Sequence, residues 1–265
     1  MTTIQTSGAQ LQVEGLDFSY MRGGERTHAV KSVDFSLARG EVLGVVGESG
    51  CGKSSLARLL VGLARPDAGR ILLAGQDITG ARSRAQRRLM QMVFQDPRSA
   101  LNPRMSLFEQ INEGWRTHPE IAPDNRRAAA ADLLGQVGLD AGLLDRRPSQ
   151  ISGGQAQRVS IARALSVSPE LLICDEAVSA LDVSVQTQVL RLLADIRERM
   201  QLSMIFISHD LGVVRQISDR VAVMYFGEVV ELGATEQVFE RPAHDYTRQL
   251  VSAALDLATE LGTPQ

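Results

Sequence analysis

The stretch "EVLGVVGESGCGKSSLARLLVGL", residues 41–63, decides how the rest of the chain is read. It opens with an almost continuous apolar run, EVLGVVG, the pattern of a strand buried on both faces of a sheet. It closes with KSSLARLLVGL, whose apolar residues recur at helical spacing and stop before ARPDAGR, a turn signal. Between the two, Gly47, Gly52, Lys53 and Ser54 match G-x-x-x-x-G-K-[ST]. Glycines at this spacing let successive backbone N–H groups curl around a β-phosphate, and the start of the helix adds positive potential. The lysine reaches the β and γ phosphates, while the serine hydroxyl ligates Mg²⁺. Average residue frequencies give such a match by chance in about one chain of this length in a hundred. The flanking strand and helix make it rarer still. A dinucleotide-binding reading fails, because the third glycine of G-x-G-x-x-G is missing and Lys53 has no task at a pyrophosphate.

Outward from this stretch, LQVEGLDFSY (11–20), VDFSLARG (33–40) and GRILLAGQD (69–77) read as strands. From about Pro97 to Val167 helix-like segments take over: SLFEQINEGW, NRRAAAADLLGQVGL and QAQRVSIARALSV, with no strand signal among them. This predicts an inserted helical subdomain. Alternation then returns with LLICDE, the amphipathic VSVQTQVLRLLADIRERM, SMIFISHD, DLGVVRQIS, RVAVMYF and EVVELG, which argues for a largely parallel, doubly wound sheet. The final residues, ATELGTPQ, are expected to fray.

The 265 residues are 44% hydrophobic and 22% charged, which is enough to bury a large core. A net charge of −3 leaves no basic footprint, so no nucleic-acid partner is expected. No apolar run approaches the length needed to cross a bilayer. MTTIQTSGAQ lacks the basic and apolar regions of a signal peptide, so the chain is expected in the cytoplasm unless another protein holds it at a membrane. Cys51 and Cys174 stand at no metal-like spacing and suit a reducing compartment.

Several polar residues complete the picture. LLICDE is an apolar strand ending in Asp175 and Glu176. In an open α/β sheet the first can hold Mg²⁺ through its water shell, and the second can face the γ-phosphate and polarise a water as general base. Gln95 ends the strand-like QMVFQ and His209 ends SMIFISH, so both fall where such sheets bind ligands. ISGGQAQR (151–158) is a second glycine-rich stretch directly before a helix, built to hold an anion. ARSRAQRR (81–88) reads as a solvated helix face.

In this order the motifs resemble those of an ATP-binding cassette (ABC) ATPase, and the likeness covers essentially the whole chain. Tyr20 stands at the aromatic A-loop position, GESGCGKS is the Walker A loop, Gln95 the Q-loop glutamine and ISGGQ the family signature. LLICDE is Walker B, SALD (179–182) the D-loop and His209 the switch histidine. The resemblance implies an α/β fold: a P-loop NTPase (RecA-like) core with a mostly parallel sheet, an N-terminal antiparallel β subdomain and an inserted α-helical subdomain. It implies one nucleotide-binding domain over 1–240, with its core at 1–96 and 168–240, the helical subdomain at 97–167, and a C-terminal extension at 241–265.

The same resemblance implies ATP and Mg²⁺ as ligands. Tyr20 would stack on adenine, while Gly47, Glu48, Ser49, Gly50, Cys51, Gly52, Lys53, Ser54 and Ser55 hold the phosphates. Ser54, Gln95 and Asp175 would position Mg²⁺; Glu176, His209 and Gln95 would serve catalysis. Ser152, Gly153, Gly154 and Gln155 would face the γ-phosphate of ATP on an opposing cassette, with Asp182 ordering the neighbouring site, so a head-to-tail pair with a second ABC ATPase subunit, related or identical, is implied. Cys51 has no role in hydrolysis, but a bulky reagent on it is expected to block ATP binding.

QMVFQDPRSALNPRM, DEAVSALDVSVQ and ERPAHDYTRQLVSA are similar to the ATP-binding subunits of bacterial oligopeptide, dipeptide and nickel importers. That implies two transmembrane permease subunits, an extracytoplasmic substrate-binding protein and a peripheral position on the cytoplasmic face of the inner membrane. Two departures stand out. No cysteine follows Cys174, so the iron–sulfur cluster found in some members is not expected; and Asp245 replaces the proline of an HPYT-like stretch. A stand-alone ABC ATPase of DNA repair or translation is the alternative, but this chain has neither a coiled-coil insertion nor a second cassette. A degenerate cassette would lack the glutamate, the histidine or part of the signature, all of which are intact here. The cargo (peptide, nickel or metallophore) is not written in this chain.

Overall fold

The computed structural model describes residues 9–23 and 25–260. They fall into two compact units: one holds the chain up to Ala81 and from Ile205 onward, the other holds Arg82–Met204.

In the first unit, β1 (Ala9–Arg22) pairs antiparallel with β2 (Glu25–Ala38) and with β4 (Ala68–Leu73), and β4 pairs with β5 (Gln76–Asp77). The order β2-β1-β4-β5 makes the N-terminal antiparallel sheet. In β2, Val33, Phe35 and Leu37 are buried in alternation, the signature of a half-buried strand. Two details differ from the sequence expectation. β2 begins at Glu25, ahead of VDFSLARG, because polar residues extend it without an apolar alternation to betray them. His28 meets Asp17 at 2.6 Å and Arg26 meets Asp67 at 3.2 Å across this sheet. GRILLAGQD is not one strand: it reverses at Ala74 and Gly75, whose φ values of 48° and 78° fit a two-residue hairpin turn.

The remaining strands divide between the two units. In the first unit β3 (Val42–Val46) lies parallel to β9 (Arg220–Tyr225), and β9 lies antiparallel to β10 (Glu228–Ala234). In the second, β6 (Met90–Val93) lies parallel to β7 (Leu171–Asp175). β8 (Ser203–Ile207) straddles the boundary in sequence. Every residue of β3, β7 and β8 is buried, as the continuous apolar runs predicted.

α1 (Lys53–Val61) follows β3, and α8 (Leu211–Ile217), α9 (Thr235–Glu240) and α10 (Asp245–Glu260) complete the first unit. α10 extends to Glu260, into the stretch expected to fray; residues 261–265 lie outside the described residues. The second unit carries α2 (Arg84–Leu89), α3 (Pro97–Ala100), α4 (Leu107–Thr117), α5 (Arg126–Gln136), α6 (Gly153–Leu165) and α7 (Val183–Met200). α2 buries no residue, but the solvated face expected over ARSRAQRR holds only in part, because Arg82, just ahead of the N-cap Ser83, is buried. α3, α4 and α5 pack on α6, and the buried Trp115 donates its indole N–H to the Ser166 carbonyl at 2.7 Å. Among the described residues no helix is long and apolar enough to cross a membrane.

Candidate functional site

The glycine loop is built where a fully buried strand must hand over to a helix. Gly47 leaves β3 at φ 148° and Gly52 enters α1 at φ 114°, both in the region L side chains avoid. Space enforces the same choice: a Cβ on Gly47 would sit 2.2 Å from the Met224 carbonyl oxygen, and one on Gly52 2.2 Å from that of Ala29. The loop is therefore pressed against its own unit from two sides. Lys53, 5% exposed, folds its ammonium back into the loop and donates to the Gly47 carbonyl at 2.6 Å and the Glu48 carbonyl at 2.8 Å. Gly52 caps α1 without any side-chain hydrogen bond, and the first helical bond runs from the Leu56 N–H to the Gly52 carbonyl at 2.9 Å. A helix start with no side-chain acceptor, beside a buried ammonium, is the arrangement that receives a phosphate.

Cys51 is buried beside Lys53, its Sγ 3.8 Å from Nζ. Burial pushes its thiol above the ordinary range, and the lysine charge opposes this only in part. Three contacts tie the loop to its surroundings. The Gly227 N–H donates to the Cys51 carbonyl at 2.8 Å, the Ser55 hydroxyl donates to the Tyr20 hydroxyl at 3.2 Å, and the Glu48 N–H donates to the Tyr246 hydroxyl at 3.1 Å. Tyr20 rises from β1 with its ring edge-on to Phe18 at 4.6 Å.

His209, also in the first unit, is exposed in the link between β8 and α8. Its position is set by neighbours on either side. The Ser208 N–H donates to the Val45 carbonyl at 3.2 Å, the Asp210 N–H to the Ser208 hydroxyl at 3.0 Å, and the Asp210 carboxylate caps α8 through the Val213 N–H at 3.1 Å. Both Gln95 and His209 stand two residues past their strands, β6 and β8, rather than ending them.

In the second unit, β7 ends on Asp175, which is 7% exposed. Next to it the Cys174 thiol is pushed up to about 12 by complete burial and, secondarily, by the Asp175 charge. Glu176 then takes φ 47°, a left-handed backbone that a non-glycine residue adopts at a cost. Ser179 holds that turn, donating its hydroxyl at 3.0 Å and its N–H at 3.2 Å to the Glu176 carbonyl. The turned-out carboxylate accepts from the Gln95 side-chain amide at 2.7 Å, so the structure brings these two expected site residues into direct contact.

ISGGQ opens α6. Ser152 is the N-cap: its hydroxyl accepts from the Gln155 N–H at 3.2 Å, and the Gln155 side chain accepts from the Ser152 N–H at 2.9 Å. This reciprocal capping box satisfies donors at the helix start. Gly154 lies against α7, where a Cβ would come 2.6 Å from Val185 Cγ1. Asp182 is exposed at the start of α7 and makes no side-chain capping bond. Sequence reasoning missed two residues of this geometry. Ser179 was visible only as the first letter of SALD, and Tyr246 only as the aromatic of the tail's HDYT.

A glycine loop that folds a buried lysine back into itself between a buried strand and a helix, in a chain that also ends an apolar strand on a carboxylate, marks a nucleoside triphosphatase cassette. The ABC transporter family matches residues 30–179, more than half of the chain, and the chain belongs to that family; it is an ATPase of the transporter class. It is 50% identical over 258 residues to the probable peptide ABC transporter ATP-binding protein y4tS of Sinorhizobium fredii, covering 94% of this chain and 73% of that one. It is also 50% identical over 229 residues to the oligopeptide transport ATP-binding protein OppF of Salmonella typhimurium, covering 85% and 69%. Among solved structures, a dimeric post-hydrolysis state of the ATP-binding cassette MJ0796 bound to ADP and Pi superposes with a TM-score of 0.77. That match has 26% identity and covers 85% of this chain and 98% of that one.

Proposed function

We propose that this chain is the ATP-hydrolysing subunit of a peptide importer. It couples ATP binding and hydrolysis to uptake through two separate permease subunits fed by an extracytoplasmic binding protein, and works at the cytoplasmic face of the membrane. The observation that carries the reading is the buried Lys53 ammonium inside the Gly47–Gly52 loop, a grip for the β and γ phosphates. The peptide cargo is supported by the names of relatives at 50% identity, and it takes precedence over the nickel or metal chelates that the sequence also allowed.

The residue roles follow. Tyr20 stacks on adenine, and the loop amides with Lys53 bind phosphate. Ser54, Asp175 and Gln95 each offer a hard oxygen, the ligand type Mg²⁺ takes alongside water and phosphate. When bound, that ion neutralises charge between the phosphates. Glu176 draws the proton from the attacking water, with Gln95 orienting its carboxylate, and His209 contacts the γ-phosphate. Ser152, Gly153, Gly154 and Gln155 serve the nucleotide of an opposing cassette in a head-to-tail pair, and Asp182 orders the junction. We keep 1–240 as the nucleotide-binding domain and 241–265 as its extension.

The test is reconstitution in proteoliposomes with the membrane subunits encoded beside it. ATP-driven accumulation of a labelled tripeptide, lost in Lys53→Ala, is expected. ATPase activity without uptake of any peptide, nickel or nickel chelate would move the chain to the stand-alone class.

A further inference from the structure

Tyr246 belongs to α10, outside every motif that defines the cassette, yet it meets the phosphate loop. Its hydroxyl accepts the Glu48 N–H at 3.1 Å. That N–H shares one peptide plane with the Gly47 carbonyl, and the Gly47 carbonyl is the one that takes the Lys53 ammonium at 2.6 Å. A planar peptide cannot turn one end without the other, so the phenol and the ammonium hold the same plate from opposite edges. The next carbonyl, that of Glu48, holds the ammonium from a second side at 2.8 Å.

The phenol is itself well placed. Tyr246 is buried, and its ring lies 4.1 Å from that of Tyr225 on β9 with the planes tilted by 31°. The backbone leading to it is anchored on β10, where the Glu231 carboxylate accepts the N–H groups of Ala243 at 2.9 Å and His244 at 3.0 Å. Arg248 closes the turn by donating to the carbonyls of Pro242 and Ala243, each at 2.9 Å. Ring stacking and a fixed backbone thus aim a single hydroxyl at the loop.

We infer that Tyr246 is a positioning residue of the nucleotide site: its hydroxyl fixes the Gly47–Glu48 peptide in the orientation that keeps Lys53 ready for phosphate. This rests on the loop being the nucleotide site. It gives the C-terminal extension a task in ATP binding, despite Asp245 standing where a proline was expected.

The test compares full-length wild type, Tyr246→Phe and Lys53→Ala, using a fluorescent ATP analogue for affinity, steady-state ATPase and melting without nucleotide. Phenylalanine keeps the ring and loses only the hydroxyl. Loss of one hydrogen bond to the loop predicts a rise in Kd and KM of about two- to tenfold, with kcat at saturating ATP unchanged. Wild-type Kd and KM in Tyr246→Phe, while Lys53→Ala fails to bind, would overturn the inference and leave the nucleotide site standing. A lower melting point with KM intact, or a loss confined to kcat, would overturn it too, assigning Tyr246 to packing or to a later step. Equal binding by wild type and Lys53→Ala would remove the loop reading itself, and this inference with it.

Discussion

At the residue scale, the loop's chemistry is set by how few groups share its interior. Lys53 and Cys51 are buried side by side, and Cys174, the chain's other cysteine, is 0% exposed at the end of β7. Burial raises the Cys51 thiol, so at neutral pH it stays protonated and reacts slowly, since the thiolate is the nucleophile. Alkylation by N-ethylmaleimide is therefore expected to be slow at pH 7 and to accelerate as the pH rises toward the raised value. It should fall on Cys51 alone, abolish nucleotide binding and be prevented by saturating ATP. Peptide mapping with a parallel ATPase assay checks this; full activity after complete labelling would refute it. Lys53, Ser54, Asp175 and Glu176 were legible in the sequence because each sits within a few residues of the pattern that announces it. Tyr246 was not, because its partner Glu48 is 198 positions away and only folding joins them.

At the scale of elements, helices were read more accurately than strands. The long helix expected at VSVQTQVLRLLADIRERM is α7, Val183–Met200, because eighteen residues average out local exceptions to the 3.6-residue period. The polar start of β2 and the hairpin between β4 and β5 escaped notice because a strand's partner, not its own composition, decides its length. ISGGQ shows one short element serving two ends. Its capping box stabilises α6 within this chain, whatever the stretch does for a second cassette. Ser152→Ala removes the acceptor for the Gln155 N–H and should lower stability by about 1 kcal/mol. A reduced urea midpoint with an unchanged slope would register it. Ser152→Thr keeps an acceptor and should retain most of the stability that Ala loses; equal stability of Ala and Ser would show that the cap contributes nothing.

On the scale of the whole molecule, the fold class was legible because buried strands, glycine loop and helical insertion follow one another in a fixed order along the chain. The division into two units was harder to see, since it cuts at Ala81/Arg82 and at Met204/Ile205, the latter inside β8, where no composition shift marks it. The residues proposed to grip phosphate lie in one unit, and the carboxylates with the ISGGQ stretch lie in the other. A catalytic cycle that needs both and also a second cassette makes a specific demand on Glu176→Gln. Removing the proposed base should lower turnover by about 10²-fold or more while leaving ATP bound, and the trapped protein should double its mass by light scattering when ATP and Mg²⁺ are added. Lys53→Ala should stay monomeric. Normal turnover in Glu176→Gln would refute the assigned base, and a monomer with ATP bound, both alone and mixed with the related cassette encoded beside it, would refute the head-to-tail pair.

The bond between Glu48 and Tyr246 also bears on how the protein is made. At translation speeds of about 5–20 residues per second, Tyr246 leaves the ribosome roughly 10–40 s after Glu48, their separation being 198 residues. Through that interval the nascent chain carries the whole phosphate motif, with the carbonyls that hold Lys53, but without the Tyr246 hydroxyl that braces them.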